Sequence, residues 1–246
     1  MPPIETLVLI TAVFLAAGCV KGIVGMGLPT VVMGALSLSM PPAQAAALLV
    51  VPSLVTNVWQ LVTGPAVGHV LRRLAVMMVC IGLGTALGIG FLTGGDSRWP
   101  SFALGAVLAV YALTGLYLPR LDVPARHERL LGPIAGGLTG VLAGATGVFV
   151  VPAVPYISAL GFTKDELIQA LGLSFAVSTL ALAVGLGAAG AYTPGLALGS
   201  AAAVAPAVAG MAIGQAVRDR LNPANFRRWF FVSMLVVGVY MAWKAL

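Results

Sequence analysis

Gly18-Cys19-Val20-Lys21-Gly22-Ile23-Val24-Gly25-Met26-Gly27-Leu28-Pro29 decides how this chain is read, because its glycine spacing returns in Gly140-Val141-Leu142-Ala143-Gly144-Ala145-Thr146-Gly147. Gly18, Gly22 and Gly25 precede Gly140, Gly144 and Gly147 by a constant 122 residues. The register continues without a gap through Val32 and Val154, Leu38 and Leu160, Leu49 and Leu171, Val55 and Val177, Gly68 and Gly190, and Gly88 and Gly210. Single matches carry little in a chain so rich in Gly, Ala, Leu and Val, so the weight rests on the glycine spacing and the order of segments after it. Weak internal symmetry of this kind marks duplicated membrane transporters. It divides the chain into a first repeat, 1–122, and a second, 123–246.

Composition sets the solvent. The 246 residues are 60% hydrophobic and 8% charged, with a mean hydropathy of +1.05, whereas a water-soluble domain carries about 25% charged residues. The chain therefore belongs in a lipid bilayer. Its longest polar connections, 120–129 and 218–228, are too short to fold around a core of their own. The net charge of +6 comes from bases scattered among loops rather than gathered with aromatics on one face, which excludes nucleic acid as a partner. Cys19 and Cys80 lie inside apolar segments and read as packing residues rather than a disulfide or a metal cluster. The N-terminus has no basic leader region and no clear cleavage site before Lys21, so it reads as part of the mature protein.

Breaks at Pro, Gly and charge clusters give apolar units at 4–24, 27–39, 43–64, 73–94, 99–119, 130–146, 148–160, 166–190, 194–216 and 225–245. The pieces 27–39 and 148–160 would be roughly 20 Å long as helix, a length that re-enters a bilayer rather than spans it. Joined to the units before them, they form two helical hairpins, with tips at Gly25-Met26-Gly27 and Gly144-Ala145-Thr146-Gly147. The fold expected is all-α, with eight helical units in two four-unit repeats.

Basic residues in short loops favour the cytoplasm. The connections with Arg72 and Arg73, with Arg120, Arg126 and Arg129, and with Arg218, Arg220, Arg227 and Arg228 should therefore face inward. The connections 94–100, with Arg98 alone, and 190–194, with no base, should face outward. A hairpin at 130–160 keeps the two later Arg-rich loops on one side and makes Lys164 inward too. A matching hairpin at 4–39 turns the repeats upside down relative to each other, with both termini outward and Lys244 as the one base against the trend. The alternative is a single span over 4–39 with the N-terminus inside.

Lys21 is the only charged residue within an apolar interior. An ammonium there costs about 2.5–3.5 kcal/mol on insertion scales, so it either faces a cavity as an anion-binding group or snorkels to an interface. Helices starting at Gly27 and Gly147 would aim free N–H groups and a positive dipole end into the protein, with Pro29 suited to the first turn of the earlier one. The competing role for Gly18, Gly22, Gly136, Gly140 and Gly144 is close packing between helices. After each hairpin comes a helix with polar residues: Ser53, Thr56, Asn57 and Gln60 on one face, then Gln169, Ser174, Ser178 and Thr179. Pro52 frees the carbonyl of Leu48 and kinks the first of these. Interhelical hydrogen bonding would also account for such residues, and Asn57, with most polar atoms to satisfy, is the strongest candidate for a site.

His69 and His127 lack partners at ligand spacing, no phosphate-binding loop occurs, and all acids fall in or beside connections, so neither an enzyme, a cofactor, a metal site nor a carboxylate proton relay is expected.

The run Gly22-Ile23-Val24-Gly25-Met26-Gly27-Leu28-Pro29, then 45–60 with Pro52, Asn57 and Gln60, and the second break ending in Val150-Val151-Pro152 resemble the sulfite exporter TauE/SafE family of bacterial inner-membrane proteins over nearly the whole chain. The second break has fewer glycines than the family's usual run and carries the bulky Phe149. The resemblance implies transport of small anions, among them sulfite and organosulfur anions. The expected mechanism is alternating access at a midplane site between the two hairpin tips, built from Lys21, Gly25, Met26, Gly27, Asn57, Gln60, Thr146, Gly147, Ser174 and Ser178. The small anion and the lipid bilayer are the expected partners. A non-transporting scaffold subunit and an anion channel are the alternatives.

Overall fold

A computed structural model describes residues 4–117 and 122–246. The described chain is helical throughout: α1 (Ile4–Val24), α2 (Leu28–Leu36), α3 (Pro42–Val62), α4 (Val67–Thr93), α5 (Arg98–Tyr117), α6 (Ala125–Thr146), α7 (Ala153–Ser158), α8 (Lys164–Ala188), α9 (Pro194–Ala202), α10 (Val204–Val217) and α11 (Pro223–Ala245), with a short 3-10 turn at Arg218–Arg220. Six of these stretches, α1, α3, α4, α5, α8 and the α9–α10 pair, are long and apolar enough to cross a membrane. Arg120 of the expected inward loop lies outside the described residues.

Boundaries differ from the hydropathy reading in three places. Helices α4 and α6 start several residues early, at Val67 and Ala125, and take Arg72, Arg73, Arg126 and Arg129 into their first two turns. A helix need not end where its apolar stretch ends. The unit 194–216 is broken at Ala203, because Pro206 lacks an N–H and its ring crowds the carbonyl one turn earlier. The unit 148–160 keeps only the six helical residues of α7, with 147–152 non-helical before it.

The helix ends recur at the sequence offset. The Gly25 N–H closes on the Lys21 carbonyl at 2.7 Å, and 122 residues later the Gly147 N–H closes on the Ala143 carbonyl at 2.8 Å. Both glycines are left-handed, at φ 82° and 72°, a conformation costly to any residue with a Cβ.

Helix pairing exchanges partners between the halves of the chain. Helix α1 lies along α10 so closely that a Cβ on Gly18 would sit 2.1 Å from the Ala207 carbonyl oxygen, and α6 lies along α4 with a Cβ on Gly140 2.2 Å from that of Ile81. Small residues that let backbones touch are how helices associate in lipid. Helices α3 and α8 run antiparallel, since Gln60 reaches the Ile168 carbonyl while Ser53 meets Thr179. So do α5 and α11, with Arg98 on the Ala245 carbonyl at one end and Arg227 on that of Gly115 at the other.

Charge and aromatic residues then sort by end. Arg72, Arg73, Arg126, Arg129, Lys164, Arg218, Arg220, Arg227 and Arg228 gather where α1, α3, α5 and α10 finish; Arg98 and Lys244 lie at the opposite end, where α1 starts and α11 finishes. All four tryptophans, Trp59, Trp99, Trp229 and Trp243, are exposed near helix ends, as in the aromatic belts of membrane proteins. From Trp99 to the exposed Tyr117 on α5 the helix rises about 27 Å, close to a hydrocarbon layer of about 30 Å. Between the belts the outer surface is apolar, as in Val76, Val79, Leu83 and Leu87 along one face of α4, and the polar residues point inward. That is a protein built for lipid.

Candidate functional site

Lys21 ends α1 with 3% of its surface exposed. Its Nζ donates to Thr56 Oγ1 at 3.1 Å and to Asn57 Oδ1, both on α3. From there hydrogen bonds run in one direction. Asn57 Nδ2 donates to Ser53 Oγ at 3.0 Å, Ser53 and Thr179 share a hydroxyl contact of 3.0 Å, and Thr179 Oγ1 donates to the Phe175 carbonyl at 2.7 Å. Since the Thr179 proton is committed to Phe175, Ser53 is the donor in that contact. Lys21, Ser53, Thr56, Asn57, Ser174, Ser178 and Thr179 are all buried. The arrangement therefore joins α1, α3 and α8 around a lysine Nζ closed off from water.

No acid pairs with Lys21: the one ion pair among the described residues is Arg73 with Glu128. Ser174 Oγ, on α8 at the level of Asn57, is buried without a hydrogen-bond partner, and Gly172 of the same turn sits against the Asn57 carbonyl. Ser178 donates to the Ser174 carbonyl at 2.8 Å.

Pro52 lies inside α3 and frees the Leu48 carbonyl. That carbonyl accepts from Ser200 Oγ of α9 at 2.8 Å, and Ser200 Oγ in turn accepts the Val51 N–H at 3.0 Å. Helix α8 begins with a capping box, Thr163 with Glu166, which fixes where its polar face starts.

The other expected site residues divide. Gln60 donates to the carbonyls of Gly25 at 3.1 Å and Ile168 at 2.9 Å, tying the first tip to the ends of α3 and α8. Met26 accepts from Tyr111 Oη at 3.4 Å, and the Gly27 carbonyl accepts from Thr30. Thr146 Oγ1 donates to Leu142 and accepts from the Val148 N–H, and Gly147 lies against Met33 and Ala46. Two expectations are corrected. The N–H groups of Gly25 and Gly147 are not free donors, because each closes the last turn of its helix. Nor do the tips meet: the first is held at Gln60 and the second at Ala46 of one helix, fourteen residues and about 21 Å of helical rise apart. Helices as long as α1 and α6 carry their tips past the middle of the bundle toward opposite ends. The Lys21–Asn57–Ser53–Thr179 chain occupies the interval between them.

Ser53, Thr56 and Thr179 belong to this cluster beyond the residues singled out from sequence. The shared helical face of Ser53, Thr56, Asn57 and Gln60 was one signal for them, and the 122-residue offset, which pairs Asn57 with Thr179, was another.

At the arginine-rich end a second polar group ties α4, α6 and the segment after α7. Arg73 makes two bonds to Glu128, at 3.0 and 2.6 Å, and one to the Leu160 carbonyl at 2.7 Å, with its guanidinium 4.5 Å from the Phe162 ring centroid.

Comparison with known protein families finds a match to the family model described as Sulfite exporter TauE/SafE over residues 10–241. No curated protein and no solved structure matches the chain.

Proposed function

The chain belongs to the sulfite exporter TauE/SafE family, a family of membrane transporters of sulfite and related anions, and from that premise we propose that it moves a small oxyanion, sulfite or an organosulfur or carboxylate anion, by alternating access around Lys21. The observation that carries this reading is a buried Lys21 with no acidic partner. An ionisable group at that depth is retained where it does work, and the counter-charge it lacks is what an anion brings. The second Nδ2 hydrogen of Asn57 and the unpartnered Ser174 hydroxyl stand at the same level to hydrogen-bond its oxygens.

The transport geometry we propose is an inverted repeat, 1–122 against 123–246, each half opening with a re-entrant hairpin. Its support is directional. Lys21 and Gly25 of α1 meet Asn57 and Gln60 of α3, so the two helices finish at the same end and the nine residues of α2 must carry the chain back. Corresponding helices α3 and α8, and α5 and α11, run antiparallel, as inversion requires. The site lies between the levels of the two tips rather than where they touch. The arginine-rich end is assigned to the cytoplasm of a bacterial inner membrane and the start of α1 and end of α11 to the outside.

Uptake into proteoliposomes of sulfite, sulfate, thiosulfate, sulfoacetate and short carboxylates tests the proposal. Saturable uptake of at least one anion, lost in Lys21→Ala, is the expected result. Unchanged transport of every anion by that variant would remove Lys21 from the site.

A further inference from the structure

Lys21 is held by two acceptors, Thr56 Oγ1 and Asn57 Oδ1. Thr56 Oγ1 spends its own proton on the Pro52 carbonyl at 2.8 Å, and Asn57 Oδ1 has none to give, so both can only accept from Nζ. A neutral amine has two N–H groups, and two acceptors satisfy it. An ammonium has a third N–H and a full charge, for which this pocket offers neither an acceptor nor an acid.

The neighbouring elements do not change that count. Facing Lys21 from α3 are Thr56 and Asn57; from α10, Gly214 and Gln215 lie against the neighbouring Gly22; α8 joins the cluster through Thr179, which meets Ser53; α2 has no titratable residue. The titratable groups on the surrounding elements include Cys19 on α1 itself, Tyr111, bonded to Met26, Arg227, bonded to Gly115, and Arg218 beyond α10, and none of them is hydrogen-bonded or ion-paired to Lys21.

We propose that Lys21 takes up a proton together with the transported anion, so that the anion and one proton are carried as a pair. The reading rests on the anion site proposed above and adds its coupling. In the empty site Nζ is an amine, its lone pair in the direction left without a partner. When the anion enters, a proton from the water on the open side adds to that lone pair, and the new N–H donates to an anion oxygen. On release to the other side, the anion and the proton leave together, and no carboxylate relay is involved. Protonation and anion binding are then reciprocally linked.

The test is calorimetry with the purified wild-type protein in buffers of different ionisation enthalpy, which counts protons bound per anion. Thiosulfate and sulfoacetate are suitable probes, since neither titrates between about pH 6 and about pH 9.5. The expected result is uptake approaching one proton per anion at the alkaline end, with affinity falling up to about tenfold per pH unit there. In Lys21→Arg, which keeps the charge without releasing it, anion binding should be weakened and should lose both its proton uptake and its alkaline fall; in Lys21→Gln, the second variant, binding should drop about a hundredfold and carry no proton uptake. Binding without proton uptake at any pH, or uptake that survives in either variant, overturns the coupling and leaves the anion site standing. Failure of every anion in the uptake panel to bind overturns the site, and the coupling with it.

Discussion

The two glycine breaks end their helices in the same way and differ in nearly everything else. Gly25 and Gly147 share a left-handed backbone and the same closing hydrogen bond. Lys21 stands one turn before the first, whereas its counterpart in the second is Ala143, buried and apolar. Helix α2 after the first break has nine residues and α7 after the second has six. Open space surrounds Gly25, while Met33 and Ala46 press on Gly147. The glycine-ended helix is common to both halves, but the lysine is placed once. On the proposed function the first break serves chemistry and the second serves packing.

Exchanging the chemistry is the strongest way to break this contrast. Lys21→Ala should reduce anion transport about a hundredfold, the scale of losing a charge-assisted contact of about 3 kcal/mol, and adding Ala143→Lys should not restore it. Rescue by the second lysine in the uptake assay would make the breaks interchangeable. Packing should behave in the opposite way, because Gly18 and Gly140 both meet backbone on a partner helix. Gly18→Leu and Gly140→Leu should each destabilise by about 3 kcal/mol, read as matched losses of melting temperature in detergent. Unequal losses would show that the exchanged helix pairs are not equivalent.

A finer comparison adds one methyl group at each tip. Gly147→Ala meets Met33 side-chain atoms at 2.8 Å in addition to its positive φ, while Gly25→Ala meets only the positive φ. The expected costs are about 2 and about 1 kcal/mol, and a reversed order in thermal unfolding would undo the assignment of packing to the second break. Smallest is Arg73→Ala, whose ion pair is partly exposed at 26% and 18%. It should cost about 0.5–1 kcal/mol and less at high salt. The offset places Gly195 opposite Arg73, so the second half has no equivalent of this arginine to lose.

Most helices were legible because glycine, proline and charge punctuate an otherwise uniform apolar chain. Lys21, Asn57 and Gln60 were recognisable because each is costly to bury. The depth of the tips was misread although the information was present. A 21-residue α1 rises about 31 Å, so its end cannot stop at the midplane unless the helix is strongly tilted. The break at Ala203 was hidden because Pro206 acts one turn upstream of itself. Hydroxyl partners such as Ser53 with Thr179 depend on how α3 and α8 are rotated against each other, which periodicity alone does not specify.

Ser200 links two interruptions that arise independently in the chain. Pro52 leaves the Leu48 carbonyl without its helical N–H, and one hydroxyl just before the α9–α10 break donates to that carbonyl while accepting the Val51 N–H. Two interruptions, one from each half, are thereby stitched into a common joint. On the proposed transport cycle, flexing either helix there would drag the other or tear the stitch, so a movement that begins beside Lys21 would be felt on the far side of the proposed repeat boundary without passing through the loops.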